Sequence, residues 1–272
     1  MAEQKVALVT GVSSGIGLAT ATRLLEEGFR TFGTIRETSR VTELPADLEL
    51  IRLDVRDEES VVAGVQTVID RAGRIDALIN NAGAVLVGSL EETSIDEAKE
   101  LFETNFFGVL RMCQAVLPSM RQQRQGRIVN ISSVLGFLPA PYMGIYAATK
   151  HAIEGYSESM DHEVRQFGIR VSVVEPGFTR TNLNQNGQLV YQALKDYSNE
   201  RGRLLSAVAK NIANGAQPDT VASVIVAAIT SRTPRLRYPG GREAKLLTLL
   251  KKFAPQRFLD KGLRKQFGLA AG

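Results

Sequence analysis

The 272-residue chain has no tryptophan, two histidines (His151 and His162) and one cysteine, Cys113. A lone thiol has no intrachain disulfide partner, and so few imidazoles and thiols leave no pattern for a metal cluster. Cys113 sits in an apolar, helix-like segment and is expected to be a buried structural thiol in a reducing compartment. No apolar run approaches the roughly 20 residues that a membrane span requires. The first residues, Met-Ala-Glu-Gln-Lys, run directly into an apolar strand-like segment and carry no signal-peptide pattern, so a cytoplasmic protein is expected. Aromatics make up 6% of the chain, and no nucleic-acid reader motif occurs. A basic nucleic-acid binder is therefore excluded. Outside its last forty residues the chain also lacks positive charge. From Arg232 onward eleven Lys or Arg face two acids, so that segment carries +9 of a net +4 and the rest is at −5.

What is present is a repeating alternation. Apolar, β-branched runs occur at 5–10, 30–35, 48–55, 76–83, 127–133 and 169–177. Segments of helical periodicity separate them, among them 18–28, 57–73 and a long one over 94–122. Repeated β-α-β spacing predicts an α/β protein: a single doubly wound, Rossmann-type parallel sheet with helices on both faces. Residues 1–231 are expected to form this domain. The Asn- and Gln-rich stretch 184–217 interrupts the rhythm after the last βα turn, where it is either a substrate lid or a decorative helix pair. Residues 232–272 form a basic amphipathic helical extension, which Pro255 should split in two.

Three local patterns point to chemistry. "VTGVSSGIGLAT" follows the first strand and opens the first helix, with glycines at 11, 15 and 17. Glycine permits a sharp turn and close backbone approach, and a helix N-terminus there offers unpaired N–H groups to an anion. Ser13 and Ser14 add hydroxyl donors. Tyr146 and Lys150 are one helical turn apart and share a face. The lysine stem could simply pack over the ring, or its charge could favour the ionised phenol. Ser133 lies thirteen residues before Tyr146. Neighbouring strand residues face opposite sides, so only one of Ser132 and Ser133 can point at the tyrosine.

Together these residues resemble the short-chain dehydrogenase/reductase family. Thr10-Gly11-x-x-x-Gly15-x-Gly17 is similar to its cofactor motif, Asn80-Asn81-Ala82-Gly83 to its fourth-strand motif, and Tyr146-x-x-x-Lys150 to its active-site motif. Ser133, Asn105 and Pro176-Gly177 follow the same order, and the resemblance covers about residues 4–230. It implies an enzyme that interconverts a ketone or aldehyde and an alcohol by hydride transfer to or from a nicotinamide. In that reading Tyr146 exchanges a proton with the substrate oxygen. Lys150 lowers the tyrosine pKa and holds the nicotinamide ribose. Ser133 hydrogen-bonds the substrate oxygen, and Asn105 holds a relay water. Gly11, Ser13, Ser14, Gly15, Ile16, Gly17, Asn81, Ala82 and Gly83 would line the cofactor cleft. Pro176, Gly177, Phe178 and Thr181 would meet the carboxamide. Asp54 and Val55 would border the adenine. A catalytically silent NADP(H)-sensing regulatory protein is the competing reading, although a sensor has no need of a proton relay.

The second strand ends "TFGTIRET", with Ile35 where an NAD enzyme usually has an acid and Arg36 next. A guanidinium suits a 2′-phosphate, so NADP(H) is expected, with Glu37 as a countervailing charge and a solvated strand-end arginine as the plain alternative. Val134, Leu135, Phe137, Leu138, Pro139, Pro141, Tyr142 and Met143 precede or flank the tyrosine. They read as an apolar wall for a hydrophobic carbonyl or alcohol, or as ordinary loop packing. The loop resembles the branch of the family that holds hydroxysteroid and retinol dehydrogenases. For the extension three roles stand open: covering the cleft, capping a dimer, or lying on an anionic membrane. Family resemblance further implies a homodimer or homotetramer through the helices near 94–122 and 145–166.

Overall fold

In the computed structural model, which describes residues 4–36, 44–181 and 188–269, the chain starts in the middle of its sheet. Strand β1 (Val6–Val9) is buried at every position, as an apolar strand covered on both faces must be. A glycine turn leads to α1 (Gly15–Glu26), then β2 (Arg30–Ile35) and β3 (Glu49–Arg52). Helix α2 (Glu58–Ala72) begins on Asp57, whose carboxylate accepts from the Glu59 N–H, and ends at Gly73 with φ 73°; the first is a standard start signal and the second a standard stop signal. There follow β4 (Ala77–Asn80), the short β5 (Leu86–Val87), α3 (Ile95–Phe102) behind a Ser94–Glu97 capping box, and α4 (Gly108–Gln123). The second half is β6 (Gly126–Ile131), α5 (Gly144–Val164), β7 (Ile169–Glu175), β8 (Gln188–Leu189), α6 (Ser198–Ala213), α7 (Pro218–Thr230), β9 (Arg237–Pro239), α8 (Arg242–Phe253) and α9 (Gln256–Gln266).

Among the described residues the main sheet has seven parallel strands in the order β3-β2-β1-β4-β6-β7-β9. The chain moves outward from β1 to β3, then returns to lay β4 on the other side of β1. That reversal opens a crevice at the carboxyl ends of β1 and β4, the place where open α/β sheets bind ligands. Alternate residues of each strand feed two cores. Leu8, Leu78 and Ile128 pack with Val65 of α2 and Met112 of α4. Val9, Ile79 and Val129 pack with Leu24 of α1 and Ile225 of α7. The doubly wound α/β fold expected from the alternation is thus the fold observed. Among the described residues no helix is long and apolar enough to cross a membrane.

Three expectations change. The sheet does not end before residue 231: β9 pairs with β7 through Val173 and Arg237, so the boundary placed there cuts through the sheet. Three residues are too few to show a strand period, and basic neighbours hide them. The helix expected over 94–122 is broken by a π turn at Glu103–Phe107, which adds a residue to the turn and swings Asn105 inward. Strands β3 and β4 stop short of their apolar runs; past β4, Asn81 and Ala82 give their N–H groups to Thr10 Oγ1 instead of the sheet. Pro255 does separate the two tail helices. Glu37 and residues 184–187 of the expected lid lie outside the described residues.

Candidate active site

The crevice is held open by backbone fit. A Cβ on Gly17 would stand 2.2 Å from the Gly11 carbonyl oxygen and 2.4 Å from Asn81 Nδ2. Gly11 itself has φ 73°, a conformation that side chains other than hydrogen resist. Asn81 Nδ2 donates to the Thr10 and Gly11 carbonyls at 2.9 and 3.0 Å, while Thr10 Oγ1 accepts from the N–H groups of Asn81 and Ala82 at 2.9 and 3.0 Å. Thr10 is therefore the organiser of the crevice, a role that its place at the head of the glycine motif does not announce. Beside it, α1 begins on Ser14 without a side-chain cap and without an acid in its first turn. Its first N–H groups are thus left for an anion. The glycine cradle and the bare helix start fit the pyrophosphate of a dinucleotide. Ser13 is exposed and Ser14 half-buried at this edge.

Helix α5 brings the polar side chains. Tyr146 is buried, and burial pushes its phenol up to about 12; the Ser133 hydroxyl beside it is the influence that pulls the other way. Lys150 is also buried, with Nζ donating to the Ile131 carbonyl at 2.8 Å and lying 5.6 Å from the tyrosine ring centre. Burial holds its ammonium down at about 8, opposed by Glu154 one turn further along the helix. Within this chain desolvation is the larger influence on the phenol and Ser133 the opposing one, and the electrostatic lowering expected from Lys150 does not figure beside them. Ser132 faces the other way, beside Glu154. Asn105 spends both side-chain N–H groups on the protein, donating to the Ala84 carbonyl at 3.0 Å and to Thr149 Oγ1 at 3.1 Å, and accepts from the Ala84 N–H at 2.8 Å. Its amide braces the loop after β4 against α5, which leaves no side-chain donor for the relay water expected of it.

A cavity of about 1000 Å³, mouth included, opens where these groups meet. Of the residues expected in the site, Ile16, Asn81, Gly83, Ser133, Tyr146 and Lys150 line it, and so does the loop of Pro176, Gly177, Phe178 and Thr181. From the expected apolar wall, Val134, Leu135, Leu138 and Met143 reach it, whereas Phe137, Pro139, Pro141 and Tyr142 do not. The rest of the wall comes from far along the chain. Val208 of α6, Leu247 of α8, and Leu263, Gln266 and Phe267 at the end of the extension complete it. Phe267 leans on Phe178 with ring centres 6.4 Å apart. Glu243 ties the two ends together, accepting from the Phe178 N–H at 3.2 Å and from Gln266 Nε2 at 3.0 Å. Covering the cleft, one of the three roles open to the extension, is what its inner face does.

Arg36, Asp54 and Val55 do not reach this cavity. They belong to the other end of the crevice, past β2 and β3. Arg36 is exposed at the strand end. The Asp54 carboxylate is gripped by Arg56 at 2.6 Å, and this hydrogen-bonded guanidinium, with Arg36 as a weaker contributor, holds it below the usual carboxylate range. The Val55 side chain is buried against Gly108 rather than turned to the crevice.

Residues 5–190 match the short chain dehydrogenase family. The chain is 37% identical over 266 residues to 3-ketodihydrosphingosine reductase of Bacteroides thetaiotaomicron, covering 96% of this chain and 97% of that one. It is 37% identical over 254 residues to retinol dehydrogenase 8 of Bos taurus, covering 86% and 80%. The crystal structure of a short-chain dehydrogenase from Streptomyces avermitilis superposes with a TM-score of 0.79 at 35% identity, over 95% of this chain and 99% of that one. More distant structures hold either nucleotide. ElxO with NADP bound has a TM-score of 0.73 at 27% identity, over 88% and 98% of the two chains, and an NAD+-bound xylitol dehydrogenase has 0.73 at 26%, over 89% and 100%. Glycine cradle, switch-point crevice, matched family and superposed relatives lead to one conclusion: this chain belongs to the short-chain dehydrogenase/reductase family and is a nicotinamide-dependent oxidoreductase acting on CH–OH donors.

Proposed function

We propose that the chain interconverts a bulky hydrophobic ketone or aldehyde with its alcohol, uses NADP(H), and employs Tyr146 as the general acid and base. The observation that carries this reading is the meeting of Ser133, Tyr146 and Lys150 with an apolar cavity at the end of the glycine cradle. The nicotinamide, when bound, supplies or accepts the hydride. In reduction Tyr146 gives its proton to the carbonyl oxygen as charge develops there, and burial keeps the phenol protonated for that task. Ser133 donates a hydrogen bond to the same oxygen, a contact that strengthens as the alkoxide forms. Lys150, anchored on the Ile131 carbonyl, places a cation beside the phenolate that remains. Thr10, Asn81 and Asn105 act on geometry alone. The proton relay back to solvent runs from Lys150.

Arg36 supports the NADP(H) preference, since β2 ends with Ile35 buried and an exposed guanidinium instead of an acid. The cavity wall of leucines, valine, methionine and phenylalanine supports a lipophilic substrate. The 3-ketodihydrosphingosine and retinol in the names of the two curated relatives are of that kind. A homodimer or homotetramer through α3–α4 and α5 accords with the exposed Ile95 and Phe107 on the first of these. The test is a substrate panel of retinoids, steroids, long-chain 3-keto lipids and small ketones, run with NADPH and with NADH. Turnover should favour the large apolar members and NADPH. Turnover restricted to small polar sugars or acids, or equal use of both nucleotides, would refute the corresponding half of the reading.

A further inference from the structure

The helices that close the cavity have a second face. In α8, Leu246, Leu249, Leu250 and Phe253 recur at the spacing of one helical stripe, and they are 56, 57, 39 and 73% exposed. Phe258, early in α9, is 59% exposed. Among the described residues these five make up nearly half of all exposed large hydrophobics, gathered within thirteen positions, while the others are spread over several elements. An amphipathic helix normally turns such a stripe inward. Here the opposite side is already used: Ala244 is fully buried and Leu247 lines the cavity. In α9, Leu259 and Leu263 are buried in the same way.

The charge around the stripe is predominantly positive. Lys245, Lys251, Lys252, Arg257, Lys261 and Lys265 are exposed, and Asp260 is the exposed acid among them; the other acid, Glu243, is turned inward to Phe178 and Gln266. Lys252 Nζ stays 5.4 Å from the Phe253 ring centre, and the Arg257 guanidinium 5.1 Å from that of Phe258. Long basic side chains lying along apolar rings keep their charged ends at the border of an apolar phase. A second copy of this chain placed on the stripe would set these cations against their own kind. A surface that is apolar within and negative at its rim is the complement.

We propose that the outer face of α8 and the first turn of α9 docks on an anionic lipid bilayer, with the apolar stripe in the acyl boundary and the basic residues among the headgroups. Since the inner face of the same helices walls the cavity, docking brings the cavity to within one helix layer of the lipid. That consequence for substrate delivery rests on the lipophilic-substrate reading above, whereas the docking itself does not.

The test is co-sedimentation of the full chain with phosphatidylcholine vesicles, with and without phosphatidylserine, alongside the double variant Leu249→Asp/Phe253→Asp. NADPH affinity and the unfolding midpoint of the variant verify that it folds. The wild type should pellet with the anionic vesicles and less so as salt rises. The double variant should bind them at least roughly tenfold more weakly. Failure to bind anionic vesicles, or equal binding by the folded variant, overturns the proposal. So does a variant that changes only from dimer to monomer in light scattering, since the stripe is then a self-association face. Vesicle binding together with turnover of small polar substrates alone upholds the docking surface and refutes the lipophilic-substrate reading, so the two failures are distinguishable.

Discussion

At the nucleotide end of the cleft, Gly17 leaves no space for a methyl group, and Thr10 and Asn81 lock two strand ends together within hydrogen-bond distance. At the substrate end, Phe267 closes the wall by lying against Phe178, with side chains drawn from four separate helices around it. The first region is defined by backbone approach and hydrogen bonds, which tolerate errors of a few tenths of an ångström. The second is defined by apolar area, which accepts many residues of similar size. One end is a fixed tool, and the other is a replaceable wall.

Breaking the fixed end should have the larger effect. Gly17→Ala drives a methyl group into the Gly11 carbonyl and Asn81. A forced overlap of this kind costs about 1–3 kcal/mol, so nucleotide affinity, measured by fluorescence titration, should fall by roughly tenfold to a hundredfold. An unchanged affinity would show that the cradle yields more than its packing implies. Phe267→Ala should leave nucleotide affinity alone and lower kcat/KM for a bulky substrate by roughly tenfold, the scale of lost apolar contacts in a pocket. A small ketone should be turned over as before. Equal losses for both substrates would mean that the extension supports the catalytic groups and not merely the wall.

The smallest effect belongs to a third region, behind Lys150. There Arg237 of β9 bonds Glu154 at 3.0 Å and Glu158 at 2.9 Å and lies 3.8 Å from Glu175. Burial first, and Glu154 second, push Glu175 up to about 7 from an ordinary 4.5. The folded chain then keeps a proton that the unfolded chain releases. The stability due to that proton is full below about 4.5 and is lost as pH rises through about 7. Glu175→Gln should flatten the fall in melting temperature across this interval by a few degrees, on the order of what a 1 kcal/mol change moves a chain of this size. A slope identical to wild type would remove Glu175 from the account.

The same contrast decides what could be read from the chain before its structure. The cradle shows in sequence because its glycines are neighbours along the backbone, and the Tyr146–Lys150 pair because one helical turn has a fixed length. Ser133, and not Ser132, faces the tyrosine because the backbone stays extended just past β6 and its side chains still alternate. Thr10 and Asn105 act through contacts between distant strands and loops, so their bracing roles carry no local signature. Nor does the π turn that aims Asn105. Burial is equally silent: the charge of Lys150 is plain in the sequence, but the desolvation that raises the Tyr146 phenol is not. The extension declares its two-helix form through Pro255 and its basic, leucine-rich pattern. Which leucines face the cavity and which face outward depends on a docking angle that periodicity leaves open, and β9 is too short to have a period.

The most direct test follows deuterium from C4-labelled NADPH during reduction of a large apolar ketone, in wild type and in Tyr146→Phe. The wild type should place the label on the carbinol carbon. The variant should bind the nucleotide equally well and transfer the label about 10²–10⁴-fold more slowly, the usual contribution of a general acid. Label transfer at the wild-type rate in Tyr146→Phe, or no label in the product of either protein, would contradict the central claim that this chain moves a hydride with Tyr146 supplying the proton.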